Sequence, residues 1–522
     1  MLDWLWNMHL WSMATRTRFA PSPTGPLHIG GLRTALFCFL HARNNRGDFI
    51  LRIEDTDQKR FVPGAEEYIL ESLSWCGITP DEGPSFGGDF GPYRQSERSA
   101  LYKPYVEQLL RDGHAYYAFD TSDELTTWRE SMQKQGNASP KYNANTRAYL
   151  KNSLSLSAQE VEERIQRGDD YVVRFKTPVA GEVRFYDKIR GWIVFQCHEL
   201  DDKVLMKSDG LPTYHLANVV DDHLMEITDV IRGEEWLPST PLHVQLYEAL
   251  GWTMPKFAHL PLILKPDGKG KLSKRDGDRL GFPVFPIDWY NPEDSKELIA
   301  GGYKERGFEA AAILNFLALL GWNPGNNQEI FSLEDLIETF SLDRVNKSGA
   351  KFDYQKACWF NSEYLKHYTS QEKTSTILEL FPKAKDRSEN DLELAFNLAS
   401  ERIQFKHEIK DTIAYLFERP GVLGDKGVKK AWKTEKVAHL EHCMQRIQVA
   451  NTDFSAPDLE TIIKQYIEEK SISFGQLLPP LRLSLTGTLK GPSIFDIMSF
   501  LGLPECLERI ELAKKNYTSE TI

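Results

Sequence analysis

A strand-like apolar run around Arg18–Ala20 leads into a turn rich in proline and glycine, and an amphipathic stretch follows the turn. The apolar positions of that stretch repeat at helical spacing, which predicts a strand, a tight loop and a helix N-terminus. Prolines stiffen such a loop, and glycines let a ligand approach the main chain. The amides and the dipole at a helix start favour a phosphate. The apolar face consists of Leu32, Ala35, Leu36, Phe39 and Leu40.

Polar side chains follow the first two predicted strands. His28 lies in the first loop, where an imidazole can donate a hydrogen bond to a reacting phosphoryl group. Phe49–Asp57 predicts a second buried strand with an acidic end, and ligand groups gather at such strand ends in an open parallel sheet. Taken alone, the first loop is better explained by a plain surface turn, and the acidic stretch is explained equally by a solvated one. Amphipathic helices are predicted over Pro63–Gly77 and Tyr102–Leu110.

The alternation of strands and helices breaks between residues 113 and 211. Polar helical segments over 122–135 and 158–167 alternate with β-rich runs over 171–175 and 183–195. We interpret this region as a domain inserted between two halves of a nucleotide-binding sheet. Its scattered arginines and lysines are candidate phosphate contacts or ordinary solvated surface.

A possible carboxylate-binding group follows the insertion. The predicted helix there carries Tyr214 and Asn218 four residues apart, so both share one helical face. The next strand ends near Arg232, whose guanidinium can bind a carboxylate through two hydrogen bonds. Arg18 on the first strand is a natural second guanidinium. The alternative for Arg232 is an ion pair with a glutamate that follows it in the sequence.

The loop Pro266–Gly277 concentrates positive charge among glycines. Its cations are Lys271, Lys274 and Arg275, with Ser273 between them. A solvated basic loop is the usual interpretation of such a cluster, and a mobile loop that closes over a polyphosphate is the functional one.

Beyond this loop the pattern is helical. Core helices are predicted over 310–320 and 333–340, and amphipathic helices succeed one another from residue 353 to the end. A basic cluster there consists of Lys426, Lys429, Lys430, Lys433 and Lys436.

Composition adds limits to this picture. A chain of 522 residues exceeds what one core normally supports, so three or more domains are expected. The net charge of -12 argues against a polyanionic partner, but only weakly, because a nucleic-acid binder needs local basic surface. The six cysteines form no CxxC pair, which predicts reduced thiols and no zinc cluster. No apolar run reaches the roughly 20 residues of a membrane span.

The apolar opening, Met1–Trp11, lacks a basic start. A start-codon extension, a tag remnant and a weak amphipathic arm all explain it. We favour an extension without a catalytic role and a true start near Met13.

The stretch Thr17–Gly31, which contains RFAPSPTGPLHIGG, resembles the HIGH region of class I aminoacyl-tRNA synthetases in the form typical of glutamyl-tRNA synthetases. Gly31 replaces the second histidine of HIGH, as is familiar in that branch, and the PPEPNGYLHIGH form of glutaminyl relatives is absent. The strings RIEDTD (52–57) and GPYRQSER (91–98) also match the family, and KLSKR (271–275) resembles its KMSKS loop.

The resemblance implies an α/β fold in which a Rossmann-type parallel sheet carries an inserted α+β acceptor-end domain. A helical stem-contact region and an all-α anticodon-binding domain would follow. The expected ranges are 1–14 for the extension, 15–112 and 212–265 for the two sheet halves, 113–211 for the insertion, 266–352 for the KMSKS loop and stem-contact domain, and 353–522 for the helical domain.

The resemblance also implies roles for particular side chains. Arg402 would read the third anticodon base. The expected catalytic residues are His28, Lys274 and Ser273; those for ATP are Gly30, Trp236, Lys271 and Lys274; those for glutamate are Arg18, Ser22, Glu54, Tyr214, Asn218 and Arg232. No residue is expected to bind a metal.

The implied activity is ATP-dependent ligation of L-glutamate to tRNA(Glu) through an adenylate, with Mg²⁺ accompanying ATP and without zinc. Relaxed charging of tRNA(Gln) stays open, and we expect a cytoplasmic monomer. Two alternatives are a truncated relative that charges a modified anticodon nucleoside, which lacks the helical C-terminal region, and a catalytically silent tRNA-binding module.

Overall fold

The computed structural model describes residues 14–421, 426–450 and 453–517. The predicted extension, residues 1–14, therefore lies almost wholly outside the described residues, as do the side chains of Lys426 and Lys430. The chain forms two compact units. One contains the residues up to Arg306 together with Ala310–Tyr354, and the other contains Gly307–Glu309 and the residues from Gln355 onward.

The described part of the first unit contains thirteen strands. They are β1 (Arg16–Phe19), β2 (Asp48–Leu51), β3 (Ala115–Ala118), β4 (Val172–Phe175), β5 (Glu182–Asp187), β6 (Gly191–Gln196), β7 (Val204–Met206), β8 (Asp229–Gly233), β9 (Lys256–Leu260), β10 (Ile263–Leu264), β11 (Trp289–Asn291), β12 (Asp294–Ala300) and β13 (Ala350–Lys351).

The described residues also contain nineteen α-helices. They are α1 (Ile29–Asn44), α2 (Ala65–Trp75), α3 (Ser99–Arg111), α4 (Ser122–Lys134), α5 (Ala158–Arg167), α6 (Tyr214–Leu224), α7 (Thr240–Leu250), α8 (Lys274–Leu280), α9 (Ala310–Leu319), α10 (Leu333–Thr339), α11 (Tyr354–Lys366), α12 (Ser370–Leu380), α13 (Glu389–Ser400), α14 (Glu408–Ile413), α15 (Lys426–Ala431), α16 (Thr434–Val449), α17 (Ala456–Glu469), α18 (Phe474–Thr486) and α19 (Ile494–Asn516).

The main sheet has six strands in the order β2-β1-β8-β9-β5-β6. The first five run parallel to their neighbours, and the edge strand β6 is antiparallel to β5. This mixed, mainly parallel sheet confirms the predicted α/β class. The carboxyl ends of β1 and β8 lie side by side, which brings residues far apart in the sequence to one edge.

The β-rich part of the predicted insertion divides between two sheets. β3, β4 and β7 form a separate antiparallel sheet, in agreement with an inserted α+β layer. β5 instead pairs with β9, where Asp187 lies opposite Phe257, so the β5–β6 hairpin extends the main sheet. This hairpin lies within the predicted insertion 113–211 but pairs with the main sheet, and local pattern does not specify such a pairing because it is a long-range contact. The bounds of the insertion stay a prediction.

Helix α1 lies at the centre of the first unit. It packs on β1, β2 and β8 on one side and on α9 and α10 on the other. The predicted apolar face is buried, but so are Ile29, Phe37 and Cys38 outside it. The helix is therefore enclosed nearly all round, which explains why its polar face is so narrow.

The described part of the second unit is helical, as predicted. Its core is formed by apolar residues of α12–α14 and α16–α19. Thr369, Ser388 and Ser455 cap helices by accepting hydrogen bonds from backbone amides three residues on. Gly502, with a φ of 77°, breaks α19 into two segments.

None of the described helices has the length and apolar character needed to cross a membrane.

Candidate active site

A cavity of about 410 Å³ lies where the start of α1 meets the end of β9 and the basic loop. Its walls combine backbone at glycine positions with cationic side chains. They include the predicted residues His28, Gly30, Lys271, Ser273 and Lys274.

His28 is the residue that caps α1. Its Nδ1 accepts a hydrogen bond from the Gly30 backbone N–H over 3.0 Å, so the imidazole proton belongs on Nε2. Nε2 is buried and has no hydrogen-bond partner among the described residues. Burial first, and then the nearby Lys274 and Lys271, lower the pKa of His28 to about 4. His28 is therefore a neutral imidazole with an unused N–H donor.

Lys274 lies close to His28 through a shared neighbour. The Lys274 ammonium lies 5.4 Å from the centre of the Phe285 ring, and the His28 ring meets the same ring edge-on at 6.3 Å between centroids. The Lys274 Nζ is also 3.5 Å from the Pro26 carbonyl oxygen. The structure thus brings the predicted catalytic lysine to the predicted catalytic histidine.

The other predicted groups of this cavity already have hydrogen-bond or ion-pair partners within the chain. Ser273 Oγ donates a hydrogen bond to Asp276 over 2.5 Å and caps α8, so its hydroxyl proton is not free for a phosphate. Lys271 forms an ion pair with Glu235 at 2.7 Å. The backbone amides of Ile29 and Gly30 are already bonded, so attraction of a phosphate at α1 rests on other groups and on the dipole.

A second cavity of about 400 Å³ adjoins the first. The two share Gly30, Gly31, Thr34, Gly233 and Glu235 in their walls. The residues predicted to bind glutamate all line the second cavity, namely Arg18, Ser22, Glu54, Tyr214, Asn218 and Arg232.

Arg232 is a buried guanidinium with neutral partners. Its Nε donates to His259 Nε2 at 3.1 Å, Nη1 to the Tyr214 hydroxyl at 3.0 Å and Nη2 to Thr240 Oγ1 at 2.9 Å. His243 Nδ1 lies 3.4 Å from Nη1. Among the described residues, no carboxylate forms an ion pair with Arg232, and its charge remains available.

The alternative role for Arg232, an ion pair with a following glutamate, is not formed. Glu234 instead pairs with Arg190, and its other oxygen accepts from the Leu262 backbone N–H. Glu235 pairs with Lys271.

Arg18 differs from Arg232 because its charge is already balanced. Its Nε lies 2.9 Å from Asp222, which also pairs with Arg52 at 2.8 Å. Burial would raise the pKa of Asp222, but Arg18 and Arg52 outweigh burial and lower that pKa. Of the two guanidinium groups predicted to face the ligand, Arg18 thus has a direct carboxylate partner and Arg232 has none among the described residues.

Glu54 completes the floor of this cavity. It accepts from Asn218 Nδ2 at 2.8 Å and lies 3.2 Å from an Arg52 nitrogen. Burial raises the pKa of Glu54 despite these partners. With Glu54 ionised, two carboxylates are in direct contact with two of the three guanidinium groups, and Arg232 is the one that contacts neither carboxylate. These groups are Arg18, Arg52, Arg232, Asp222 and Glu54.

Trp236, which was predicted to lie near ATP, lines the second cavity. Its ring packs on Tyr214 with ring centroids 4.6 Å apart. The turn that follows β8 directs this indole toward the helix that carries Tyr214, a direction that strand and helix patterns do not reveal.

Several polar residues of the site were not predicted. Asp222 and Arg52 stand inside the strings DDH and RIEDTD, where adjacent charges in a buried strand or helix were an available signal. The others lie on α7, β5 and β9 and become neighbours only through the sheet order. The missed residues are Arg52, Asp187, Asp222, Thr240, His243 and His259.

Arg402 belongs to the second unit, where it is exposed just after α13. Its charge acts on the buried Tyr415 and on Arg482, which places these three residues near one another. Its role in reading an anticodon base stays a prediction.

Among the described residues, no cluster of three or more His, Cys, Asp or Glu side chains has a geometry suited to a metal ion. The six cysteines are buried free thiols.

Comparisons with known proteins agree with this geometry. Residues 14–359 match the family described as tRNA synthetases class I (E and Q), catalytic domain, and residues 363–514 match an anticodon binding domain. A glutamate–tRNA ligase of Christiangramia forsetii is 50% identical over 510 residues, 96% of this chain and 99% of that protein. One of Bacteroides fragilis is 52% identical over 509 residues, covering 95% and 98%.

A crystal structure of a glutamate tRNA ligase from Elizabethkingia meningosepticum, in complex with its amino acid, is also similar. It superimposes with a TM-score of 0.87 at 45% identity and covers 97% of this chain and 100% of that chain. The chain therefore belongs to the class I tRNA synthetases for glutamate and glutamine, in the branch of the glutamate–tRNA ligases.

Proposed function

We propose that the chain activates L-glutamate as an adenylate and transfers it to tRNA(Glu). The α-carboxylate attacks the α-phosphate of ATP and pyrophosphate leaves. A terminal ribose hydroxyl of the tRNA, the 2′-hydroxyl by family resemblance, then attacks the carbonyl carbon and AMP leaves. The observation that carries this proposal is the junction of the two cavities, one lined by His28 and two lysines and the other by a guanidinium without a carboxylate partner among the described residues.

Arg232 supplies the preference for an acidic side chain. A γ-carboxylate would balance its charge through charge-assisted hydrogen bonds, whereas the neutral amide of glutamine would leave that charge buried and unpaired. Tyr214 already accepts from Arg232, so its own O–H is free to donate to the ligand. Glu54 is suited to the amino group of the substrate, because it offers a carboxylate in the wall of the same cavity.

His28 and Lys274 would act on the triphosphate. Charge builds up on the phosphoryl oxygens and on the departing pyrophosphate, and preorganised donors at these positions stabilise it. His28 would donate from Nε2, and Lys274 and Lys271 would contribute positive charge. Lys271 has to leave Glu235 to do so, which fits a basic loop that closes when ATP binds. No covalent protein nucleophile is needed.

The described side chains do not form a metal cage, so Mg²⁺ has no dedicated protein site in this proposal. Mg²⁺ commonly binds through substrate phosphates and retained waters, and it would arrive with ATP. Zinc plays no part.

The helical second unit supports a full-length tRNA ligase over the truncated relative, which lacks such a region. The intact set of His28, Glu54, Arg232 and Lys274 favours an active enzyme over a silent tRNA-binding module. A monomeric state and a cytoplasmic location stay predictions.

Charging of purified tRNA(Glu) and tRNA(Gln) with radiolabelled glutamate tests this function. Stable, ATP-dependent labelling of tRNA(Glu) is expected, and labelling of tRNA(Gln) decides whether charging is relaxed. ATP–pyrophosphate exchange with and without tRNA then shows whether activation requires tRNA, as the family resemblance predicts. Binding of tRNA with neither exchange nor charging would contradict the proposal and favour the silent module.

A further inference from the structure

We propose that the buried pair Asp187 and His259 positions the Arg232 guanidinium and thereby sets the preference for glutamate over glutamine. This inference rests on the proposed function, in which Arg232 receives the substrate γ-carboxylate. Asp187 and His259 line neither cavity, so they are positioning residues and not substrate contacts.

The three side chains form a continuous hydrogen-bonded chain. Asp187 Oδ2 lies 2.6 Å from His259 Nδ1, and His259 Nε2 accepts the Arg232 Nε–H over 3.1 Å. The side chains of Asp187 and His259 are fully buried. The carboxylate assigns the imidazole proton to Nδ1, which leaves Nε2 as the acceptor that Arg232 requires.

Asp187 is held rigidly by its surroundings. Its Oδ1 accepts from the backbone N–H groups of Ile189 and Arg190, and its Oδ2 also accepts from the backbone N–H of His259. Both oxygens are thus engaged where β5 meets β9. The hydrogen-bonded connection from this carboxylate to Arg232 runs through the imidazole between them.

The His259 imidazole lies between the Asp187 carboxylate and Arg232, so the two charged groups are not in direct contact. Arg18 shows the contrasting arrangement, a direct ion pair with Asp222 at 2.9 Å. Electrostatic attraction falls with distance, so a neutral imidazole inserted between carboxylate and guanidinium orients the cation without neutralising it. Thr240 and Tyr214, which hold the other two nitrogens, are neutral as well. The Arg232 charge is therefore fixed in direction and left for the ligand.

Loss of the His259 acceptor should weaken glutamate binding selectively. A hydrogen bond to a charged group is worth roughly a tenfold to hundredfold change in an equilibrium constant. We expect the KM for glutamate to rise by that factor, the KM for ATP to stay within about twofold, and glutamine discrimination to fall.

Two substitutions distinguish the roles of the two nitrogens of the His259 imidazole. In His259→Gln the side-chain amide reaches the position of Nε2 and can still accept from Arg232. In His259→Asn the shorter amide stays near Nδ1 and Asp187 and does not reach Arg232. His223→Asn, at a half-buried imidazole stacked on Trp252, is the matched control.

The full-length variants are compared by ATP–pyrophosphate exchange with tRNA present and by thermal unfolding. A raised glutamate KM in His259→Asn, rescue in His259→Gln and no change in the control support the inference. An unchanged glutamate KM in a folded His259→Asn variant, or equal rises in both KM values, overturns it. For the unmodified enzyme labelled with ¹⁵N-histidine, an Nδ1–H tautomer whose signal shifts with glutamate and not with ATP is expected, and its absence overturns the inference even if the variants do not fold.

Arg232→Gln, measured alongside, separates this inference from the proposed function. If Arg232→Gln raises the glutamate KM and His259→Asn does not, only the positioning role is lost. If Arg232→Gln has no effect on that KM, the proposed acid-binding role of Arg232 is itself wrong.

Discussion

The backbone N–H of Gly30 donates to Nδ1 of His28 across 3.0 Å, and this contact determines what the imidazole can do. It caps α1 and leaves the proton on Nε2, which lies buried without a partner among the described residues. Of the two imidazole nitrogens, Nδ1 therefore stabilises the helix, and Nε2 carries the donor for the reaction.

Substitution of His28 by asparagine should separate these two roles. The asparagine amide can replace Nδ1 as the helix cap but does not extend to Nε2. We expect His28→Asn to lower kcat for pyrophosphate exchange by about 10² to 10³, the usual effect of losing one donor to a developing charge. His28→Ala should also lose the cap, at about 1 kcal/mol of unfolding free energy. Exchange kinetics and urea unfolding measure both, and an unchanged kcat in His28→Asn would exclude a role for Nε2.

Acid should destabilise the fold between pH 6.5 and about 4. The pKa of His28 is about 4 in the folded state, lowered by burial and by Lys274 and Lys271, against 6.5 in an unfolded chain. Above pH 6.5 both states are neutral at this residue. Between pH 6.5 and about pH 4 the unfolded chain binds a proton at this histidine and the folded chain does not. The free energy of unfolding therefore decreases as the pH is lowered through this range, by up to roughly 3 kcal/mol.

His215, whose pKa burial also lowers to about 4, should act in the same direction. Urea midpoints at pH 7, 6 and 5 test this expectation. His28→Asn should show a shallower decline than the native protein, and an identical decline would assign the effect to other groups.

Lys274 should matter for catalysis far more than a neighbouring lysine of the same loop. Removal of its charge in Lys274→Ala should lower kcat by about 10², because pyrophosphate departs with less stabilisation. Lys269→Ala removes an exposed cation from the same loop and should leave kcat nearly unchanged. Equal losses in the two variants would indicate a general electrostatic effect of the loop.

Asp222 should be essential for stability. Asp222→Asn leaves Arg18 and Arg52 as buried cations with weakened compensation, and breaking a buried pair costs about 3 to 5 kcal/mol. Chemical unfolding measures this loss. Asp57→Asn, which breaks an exposed pair with Arg60, is the control and should leave the unfolding midpoint in place. Similar unfolding midpoints for both variants would contradict the conclusion that Asp222 compensates two buried cations.

The parts of the site that could be predicted from the sequence are those encoded by the local spacing of apolar residues or by short motifs of the family. The strand, loop and helix around His28 follow from apolar spacing, and Arg232 was expected at a strand end next to Arg18. Contacts made through sheet order were not predictable in this way. Asp187 reaches the site because β5 pairs with β9, while its local pattern suggested a separate domain.

Side-chain direction was the second limit. Ser273 was expected to face a phosphate, but the short helix after it uses the hydroxyl as a cap. Trp236 turns toward Tyr214 because the two rings pack together. The sequence pattern can place such residues near a cleft. The packing of their side chains determines which wall of the cleft they line.

The most direct test of the account is ATP–pyrophosphate exchange with glutamate and with glutamine, in the presence of tRNA, for the native chain and for Arg232→Gln. The native chain should support exchange with glutamate and little or none with glutamine, and Arg232→Gln should lose that preference. Comparable exchange with both amino acids in the native chain, or an undiminished glutamate preference in Arg232→Gln, would contradict it.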